Sequence, residues 1–355
     1  MRRVRIPLPS PPVPRPSTRL AASCRRRAWA SAVLAVALIA VAAAVSGCAT
    51  STAAGRPGAT AGIGRSHSIT GAGGHLGPSA SRPAPPRHPD TPAYPELLHS
   101  PPSGPTRFTP TVHWHGQYPI WVSRTAAGAI LVSLNQKYLT LELHSGTVDA
   151  GPTGWRWGPE VAPAQRPSLM AAFNGGFMLN TGAGGFFSYG RTAVPLRRGL
   201  ASIVTYANGT TDIGAWDEGI PARGEKVVSV RQNLTLLING GHINPSVSCI
   251  QCWGATLGGV NAPARSALGI TADGHLVWAG GMSLTPLGLA QTLLGAHVVR
   301  AIQLDINPEW VAFDLYSRGH NPAAVTPVPF VPGQQGVPGQ FLTPYNRDFF
   351  SVQAR

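Results

Sequence analysis

Apolar positions fall into two regimes along the chain. From Ala28 to Val45, eighteen residues run without a charge, AWASAVLAVALIAVAAAV. That is long enough to enter a bilayer as a helix. From Ala129 onward the apolar runs are short: Ala129–Leu134, Leu139–Leu143, Leu169–Phe173, Ala201–Tyr206, Val227–Val230, Leu234–Ile238, Ala267–Ile270, Leu276–Ala279, Val298–Leu304 and Trp310–Leu315. Most span four to seven residues between Gly, Asn, Asp or Pro, which predicts strands. Asn208-Gly209 and Asp273-Gly274 predict hairpin turns, the second joining Ala267–Ile270 to Leu276–Ala279. One helix is predicted after Thr285, which can cap it, with Pro286 at its first position. Leu287, Ala290, Leu293 and Leu294 form its apolar face, and Gly295 is expected to be left-handed at its end. The strand Val298–Leu304 follows, and Asp305 is expected to begin a loop. This order predicts an α+β fold with a large mixed sheet, few helices and a single globular domain.

The two regimes divide the chain into a signal or anchor (1–48), a disordered Pro/Gly-rich linker (49–107) and a domain (108–355). Arg25, Arg26 and Arg27 precede the long apolar run, so the positive-inside rule holds the N-terminus cytoplasmic. The run ends in Val45-Ser46-Gly47-Cys48, which resembles the lipobox of bacterial lipoproteins, with Cys48 as the lipidation site. An uncleaved single-pass anchor is the alternative. Both attach the chain to the membrane, through the anchor or a lipid, and place residues after 48 on the extracytoplasmic face of the cell membrane. The linker has too few large apolar residues to offset the entropy of ordering.

Charge sharpens this division. The net charge is +14, but residues 1–100 hold twelve arginines against two acids, Asp90 and Glu96. Residues 101–355 hold sixteen basic and twelve acidic residues, too even a balance for a nucleic-acid-binding face. No nucleic-acid partner is expected. Gly has no three-residue period, which excludes collagen, and a single long apolar run excludes a multi-pass membrane protein. Cys249-Ile250-Gln251-Cys252 has no second pair for a zinc ribbon. Outside the cytoplasm it predicts a disulfide between Cys249 and Cys252.

Four segments occur in order: Ala172-Phe173-Asn174-Gly175-Gly176-Phe177, then Leu236-Leu237-Ile238-Asn239-Gly240-Gly241, then Arg265-Ser266-Ala267-Leu268-Gly269-Ile270, then the helix with Ala301-Ile302-Gln303-Leu304-Asp305. Together they resemble the phosphodiester glycosidase family over residues 169–316. The resemblance implies a hydrolase that cleaves a glycosyl phosphodiester or related envelope glycan bond. One segment departs: the family's Gly-Gly-Gly-Ser after Leu-Asp is here Ile306-Asn307-Pro308-Glu309-Trp310. Three glycines permit close backbone approach to a ligand, so the substituted loop points to a divergent branch with a different substrate.

The candidate chemistry follows from these segments. Asp305, at the end of an apolar strand, is the candidate acid or nucleophile, unless it serves only to order the Asn307-Pro308 turn. Glycoside cleavage uses two carboxylates, and Glu309 is the second candidate in sequence. Arg265 is a candidate clamp for phosphate or sugar oxygens, or a structural ion-pair partner. Asn174, Gly175 and Gly176 are candidates to bind an oxygen-rich ligand as a backbone nest, or form a tight turn. Asn307 is a candidate to assist. No cofactor is expected; Ca²⁺ is the one ion that Asp305, Asn307 and Glu309 suggest, without a full calcium-loop pattern. His113 and His115 would share a strand face but lack a third ligand for zinc. Trp155, Trp157, Phe186, Phe187 and Tyr189 form either a sugar-stacking platform or a core cluster. The expected partner is a glycan or glycosyl phosphodiester substrate. A non-catalytic envelope glycan-binding lipoprotein and a glycan transferase are the rival readings.

Overall fold

The computed structural model describes residues 106–318 and 324–355. The anchor, Cys48 and the linker up to residue 105 lie outside the described residues. Strands β1 (Thr109–Trp114), β2 (Gln117–Arg124), β3 (Ile130–Leu134) and β4 (Leu139–His144) come first, then β5 (Leu169–Asn174), β6 (Phe186–Ser188) and β7 (Arg191–Val194). Next are β8 (Ala201–Tyr206), β9 (Thr211–Ala215), β10 (Val227–Gln232), β11 (Leu236–Asn239) and β12 (His242–Ile243). The chain ends with β13 (Arg265–Thr271), β14 (Leu276–Gly281), helix α1 (Pro286–Leu294), β15 (Val298–Ile306), β16 (Phe313–Arg318), β17 (Val325–Pro329) and β18 (Phe349–Ala354).

The fold is sheet-rich α+β with few helices. Its strands divide among three sheets, ordered β1-β2-β3-β14-β13-β15-β11-β12, β7-β6-β10-β8-β9 and β17-β16-β5-β18-β4. Every strand pair among them is antiparallel, so the large sheet is not mixed. Part of the reason is local. Hairpins join seven of the fifteen pairs, including the Asn208-Gly209 turn between β8 and β9 and the Asp273-Gly274 turn between β13 and β14. Among the described residues one α-helical crossover runs from β14 to β15 and passes over β13, which lies between them. Those two strands are parallel without touching.

Both faces of the large sheet are covered, so β13 is buried at every position. On one face Leu268, Ile270, Leu276 and Trp278 join Phe173, Phe313 and Phe350 from the third sheet in the main core. On the other, Ala267, Val277 and Ala279 pack against Leu289, Ala290 and Leu293 of α1. Period-two alternation along β13 and β14 produces this sorting. Gly269 leaves room for its neighbour: a Cβ there would lie 2.4 Å from Val298 Cγ1.

The helix begins as expected, with Thr285 Oγ1 accepting from Gly288 N at 3.0 Å. Its buried row is Pro286, Leu289, Ala290 and Leu293, whereas Leu287 is exposed. Gly295 is right-handed, not left-handed, because the helical turn continues through Ala296 N to Leu293 O and His297 N to Leu294 O. His297 takes the positive φ instead. His115 sits in the β1–β2 turn with positive φ, so it does not share a strand face with His113.

Candidate active site

Ends of strands from all three sheets meet around one group of charges. β15 brings Asp305, β13 brings Arg265 opposite Ile306, and β5 ends at Asn174. Arg347 and Asp348 immediately precede β18, whose Phe349 pairs with Asn174. β10 contributes Arg231. Asp305 is not in a loop: β15 runs one residue past it, and Asp305 N donates to Gly175 O at 2.9 Å.

Arg347 is the hub. Its Nε reaches Asp149 Oδ2 at 2.6 Å and its Nη2 reaches Asp305 Oδ2 at 2.6 Å. The same Nη2 donates to Gly176 O at 3.1 Å, and the guanidinium lies 4.8 Å over the Trp310 ring. Asp305 is 5% exposed, and its Oδ1 accepts from Ile306 N at 2.9 Å. One guanidinium thus serves two carboxylates, and a buried trio is neutral only if one carboxylate carries a proton. Burial is the main force that pushes Asp305 up to about 7; Arg347 and the Ile306 N–H pull the other way, and the nearby Asp348 adds to the rise. Burial alone would lower Arg347, but Asp305, Asp149 and Asp348 outweigh it and hold the guanidinium charged.

A second pair supports the first. Arg231 Nε and Nη2 meet Asp348 Oδ2 and Oδ1 at 2.8 and 2.9 Å, a bidentate pair with both partners buried. Arg231 also donates to Phe177 O and Gln232 O. Gly175 and Gly176 pass against this pair. A Cβ on Gly175 would lie 2.0 Å from Asp348 Oδ2, and one on Gly176 would lie 2.9 Å from the Arg231 guanidinium carbon. Their N–H groups donate to Asp348 O and Oδ2. The expected ligand nest is therefore satisfied from within the protein.

Asn174 is likewise spent internally. Its Nδ2 donates to Ser266 Oγ at 2.9 Å and to Gly175 O at 3.1 Å, and its Oδ1 accepts from Ala312 N at 3.2 Å. Ser266 Oγ then donates to Asp305 O at 3.0 Å. Asn174 positions the Asp305 backbone through Ser266. Asn307 has φ 75°, the left-handed region that glycine favours. Its Oδ1 accepts from Leu257 N at 3.1 Å, tying the loop after Cys252 to the turn after Asp305. Cys249 and Cys252 are disulfide-bonded in that loop.

Arg265 makes no ion pair among the described residues. Nη1 donates to Trp253 O at 2.8 Å and Gln303 Oε1 at 2.9 Å, while Nε and Nη2 are buried without a protein partner. Burial lowers it to about 10. Tyr345 Oη is also buried without a partner; burial raises its pKa, and the Asp305 charge adds to that rise. Glu309 stands exposed in the turn after Asn307. The carboxylate that shares Arg347 with Asp305 is Asp149, from a segment 156 residues earlier in the chain. Asp305 pairs with Arg347, Asn307 Oδ1 accepts from Leu257 N and Glu309 is exposed; among the described residues no three His, Cys, Asp or Glu side chains are grouped to hold a metal ion.

The sequence reading did not single out Asp149, Arg231, Arg347, Asp348 or Tyr345. A signal existed for three of them. Arg231 interrupts the apolar strand Val227–Gln232, and Arg347-Asp348 opens the apolar strand Phe349–Ala354. Charges flush against buried strands need partners.

No family model and no curated protein matches the chain. Among solved structures it is similar to the zebrafish N-acetylglucosamine-1-phosphodiester alpha-N-acetylglucosaminidase catalytic domain auto-inhibited by its pro-peptide. That match has 19% identity and a TM-score of 0.43, over 73% of this chain and 85% of that chain. A hypothetical protein from Synechocystis matches at 13% identity and a TM-score of 0.39, over 71% of this chain and 64% of that one. An exported protein of Burkholderia pseudomallei matches at 14% identity and a TM-score of 0.29, over 67% and 75%. These are distant structural relationships.

Proposed function

We propose that this chain is a membrane-anchored, extracytoplasmic hydrolase that cleaves a glycosyl phosphodiester or related envelope glycan bond. The observation that carries the reading is the Asp149–Arg347–Asp305 trio. Two carboxylates held close together, one of them with its proton near neutral pH, are what glycoside cleavage uses. Asp305 is the general acid: its carboxyl proton passes to the leaving oxygen as the glycosyl bond breaks, while a water oxygen bonds to the anomeric carbon and gives up a proton to Asp149. Arg347 stays charged beside Asp149, so loss of that proton leaves a carboxylate that Arg347 can stabilise. Asp149 is the second carboxylate, in the role the sequence reading gave to Glu309. Arg265, with two unpartnered N–H groups, is the donor to phosphate or sugar oxygens. The lipobox-like Cys48 or the uncleaved apolar run supplies the attachment, and the linker carries the domain away from the membrane.

The test is hydrolysis by the full chain in mild detergent, with p-nitrophenyl and phosphodiester-linked N-acetylglucosamine as substrates. The wild type is expected to release product, and Asp305→Asn to lower kcat roughly 10²- to 10⁴-fold, the scale of one general acid. A folded Asp305→Asn protein with undiminished kcat overturns the assignment.

A further inference from the structure

Beside the charged trio opens a cleft of about 530 Å³, lined by Asp149, Trp155, Met178, Asn180, Arg191 and Thr192 among others. Its size is that of a small-molecule site, about 300–1,000 Å³. Asp149 is shared by the cleft wall and the trio: its Oδ2 pairs with Arg347 and its Oδ1 accepts from Leu179 N at 3.1 Å. The acid's charge is thereby matched from inside the protein.

The cleft also presents a fixed cation. Arg191 places its guanidinium 4.3 Å over the Trp155 ring and donates from Nη1 to Thr153 O at 2.6 Å. Gly154 makes space for it: a Cβ there would lie 2.1 Å from Arg191 Nη1. Trp155 is pinned in turn, with Nε1 donating to Ala150 O at 3.0 Å and its ring edge-on to Phe186 at 5.0 Å. No carboxylate pairs with Arg191 among the described residues. One residue along from Trp155, Arg156 repeats the arrangement over Trp157 and Tyr189, at 4.8 and 5.8 Å. A guanidinium stacked on an indole keeps edge N–H groups to offer, and it is held in place before any ligand arrives.

We propose that this cleft is a second subsite, which binds an anionic group, phosphate or carboxylate, on the sugar adjoining the bond that is cleaved. Arg191 is its specificity-determining residue. The subsite's place in catalysis rests on the hydrolase reading above; its capacity to bind an anionic sugar does not. The substrate class narrows accordingly, from envelope glycans in general to those with a charged unit beside the scissile bond.

Isothermal titration of the full chain in mild detergent tests this, with glucose 6-phosphate, glucuronate and glucose as probes. The phosphate and carboxylate arms distinguish the two anions. At least one anionic sugar is expected to bind saturably, and to bind at least tenfold more weakly to Arg191→Gln. The Arg191→Lys protein, which keeps the charge and loses the fork, is expected to fall between the two. Glucose should bind more weakly than that anionic sugar and respond equally in all three proteins. Absence of saturable binding by either anion overturns the subsite, as does an unchanged Kd in folded Arg191→Gln and Arg191→Lys. If Arg191-dependent binding is present while wild-type hydrolysis is not, the hydrolase reading falls and the anion site stands. If hydrolysis is present without Arg191-dependent binding, the subsite alone falls.

Discussion

Asp305 is held in a state that its sequence neighbours do not dictate. Its carboxyl sits near 7, well above the 3.8 of a free aspartate, because it is buried beside a guanidinium already shared with Asp149. The sign of the consequence follows from proton counting. Between pH 4 and 7 the folded protein holds a proton that the unfolded chain has released, so this residue makes stability fall as pH rises through that window. Below it both states are protonated and the contribution is constant. The Asp305→Asn protein is therefore expected to gain on the wild type in melting temperature from pH 4 to 7, and to gain no more above 7. A difference that stays flat, or that shrinks with rising pH, contradicts the buried-proton account. The sequence singled out Asp305 and Arg265, and the fold places them near the end of β15 and at the start of β13. Asp149 was not legible, because nothing within its own segment marks it. Its meaning comes from Arg347, which the fold delivers from 198 residues away. Glu309 was chosen as the second carboxylate for its nearness in sequence, and nearness along a turn placed it in solvent.

Elements were read well where they were apolar and bounded. Leu139–Leu143, Leu276–Ala279 and Val298–Leu304 each form the core of a strand: the first alternates apolar and polar residues with matching burial, and the second is a continuous apolar run buried throughout. β17 was not anticipated, and β1 was anticipated only around His113. They are partly exposed edge strands that contain Pro110, Pro327 and Pro329, and proline within a run argues against a strand except at an edge. The helix was found from its cap, but its face was rotated: Leu289 lies in the buried row and Leu287 does not. Leu289 and Leu293 each contribute about 1.5–3 kcal/mol of apolar burial, so their packing rather than their propensity holds the helix against the sheet. The Thr285 hydroxyl adds a cap. Thr285→Ala is expected to cost about 1 kcal/mol in urea unfolding, with an unchanged m-value. A loss below a few tenths would show that packing alone fixes the helix start.

At the scale of the whole molecule, the site is where three sheets are joined. Asp305 comes from the large sheet, Asn174 and Asp348 from the ends of β5 and β18, and Arg231 from β10 of the remaining sheet. The Arg231–Asp348 pair and the Asp305 N–H to Gly175 O bond cross between them. Local pattern marks Arg231 and Arg347-Asp348 as charges that need partners, but which groups meet is set only when the sheets assemble. β18 is decisive, since it lies between β5 and β4 with both its edges paired. A chain ending at residue 343 loses that strand together with Arg347 and Asp348. It is expected to show no cooperative thermal transition, and a sharp transition near that of the full chain would contradict the architecture. The chemistry proposed for Asp305 is delivery of its proton to the leaving oxygen. The pH dependence of kcat/KM on a hydrolysed substrate tests it most directly, because it reports the free enzyme's essential acid. A general acid with a carboxyl near 7 works while protonated, so the rate is predicted to fall as pH rises through about 7. A rate that is flat from pH 5 to 9, or that climbs through 7, would contradict the assignment.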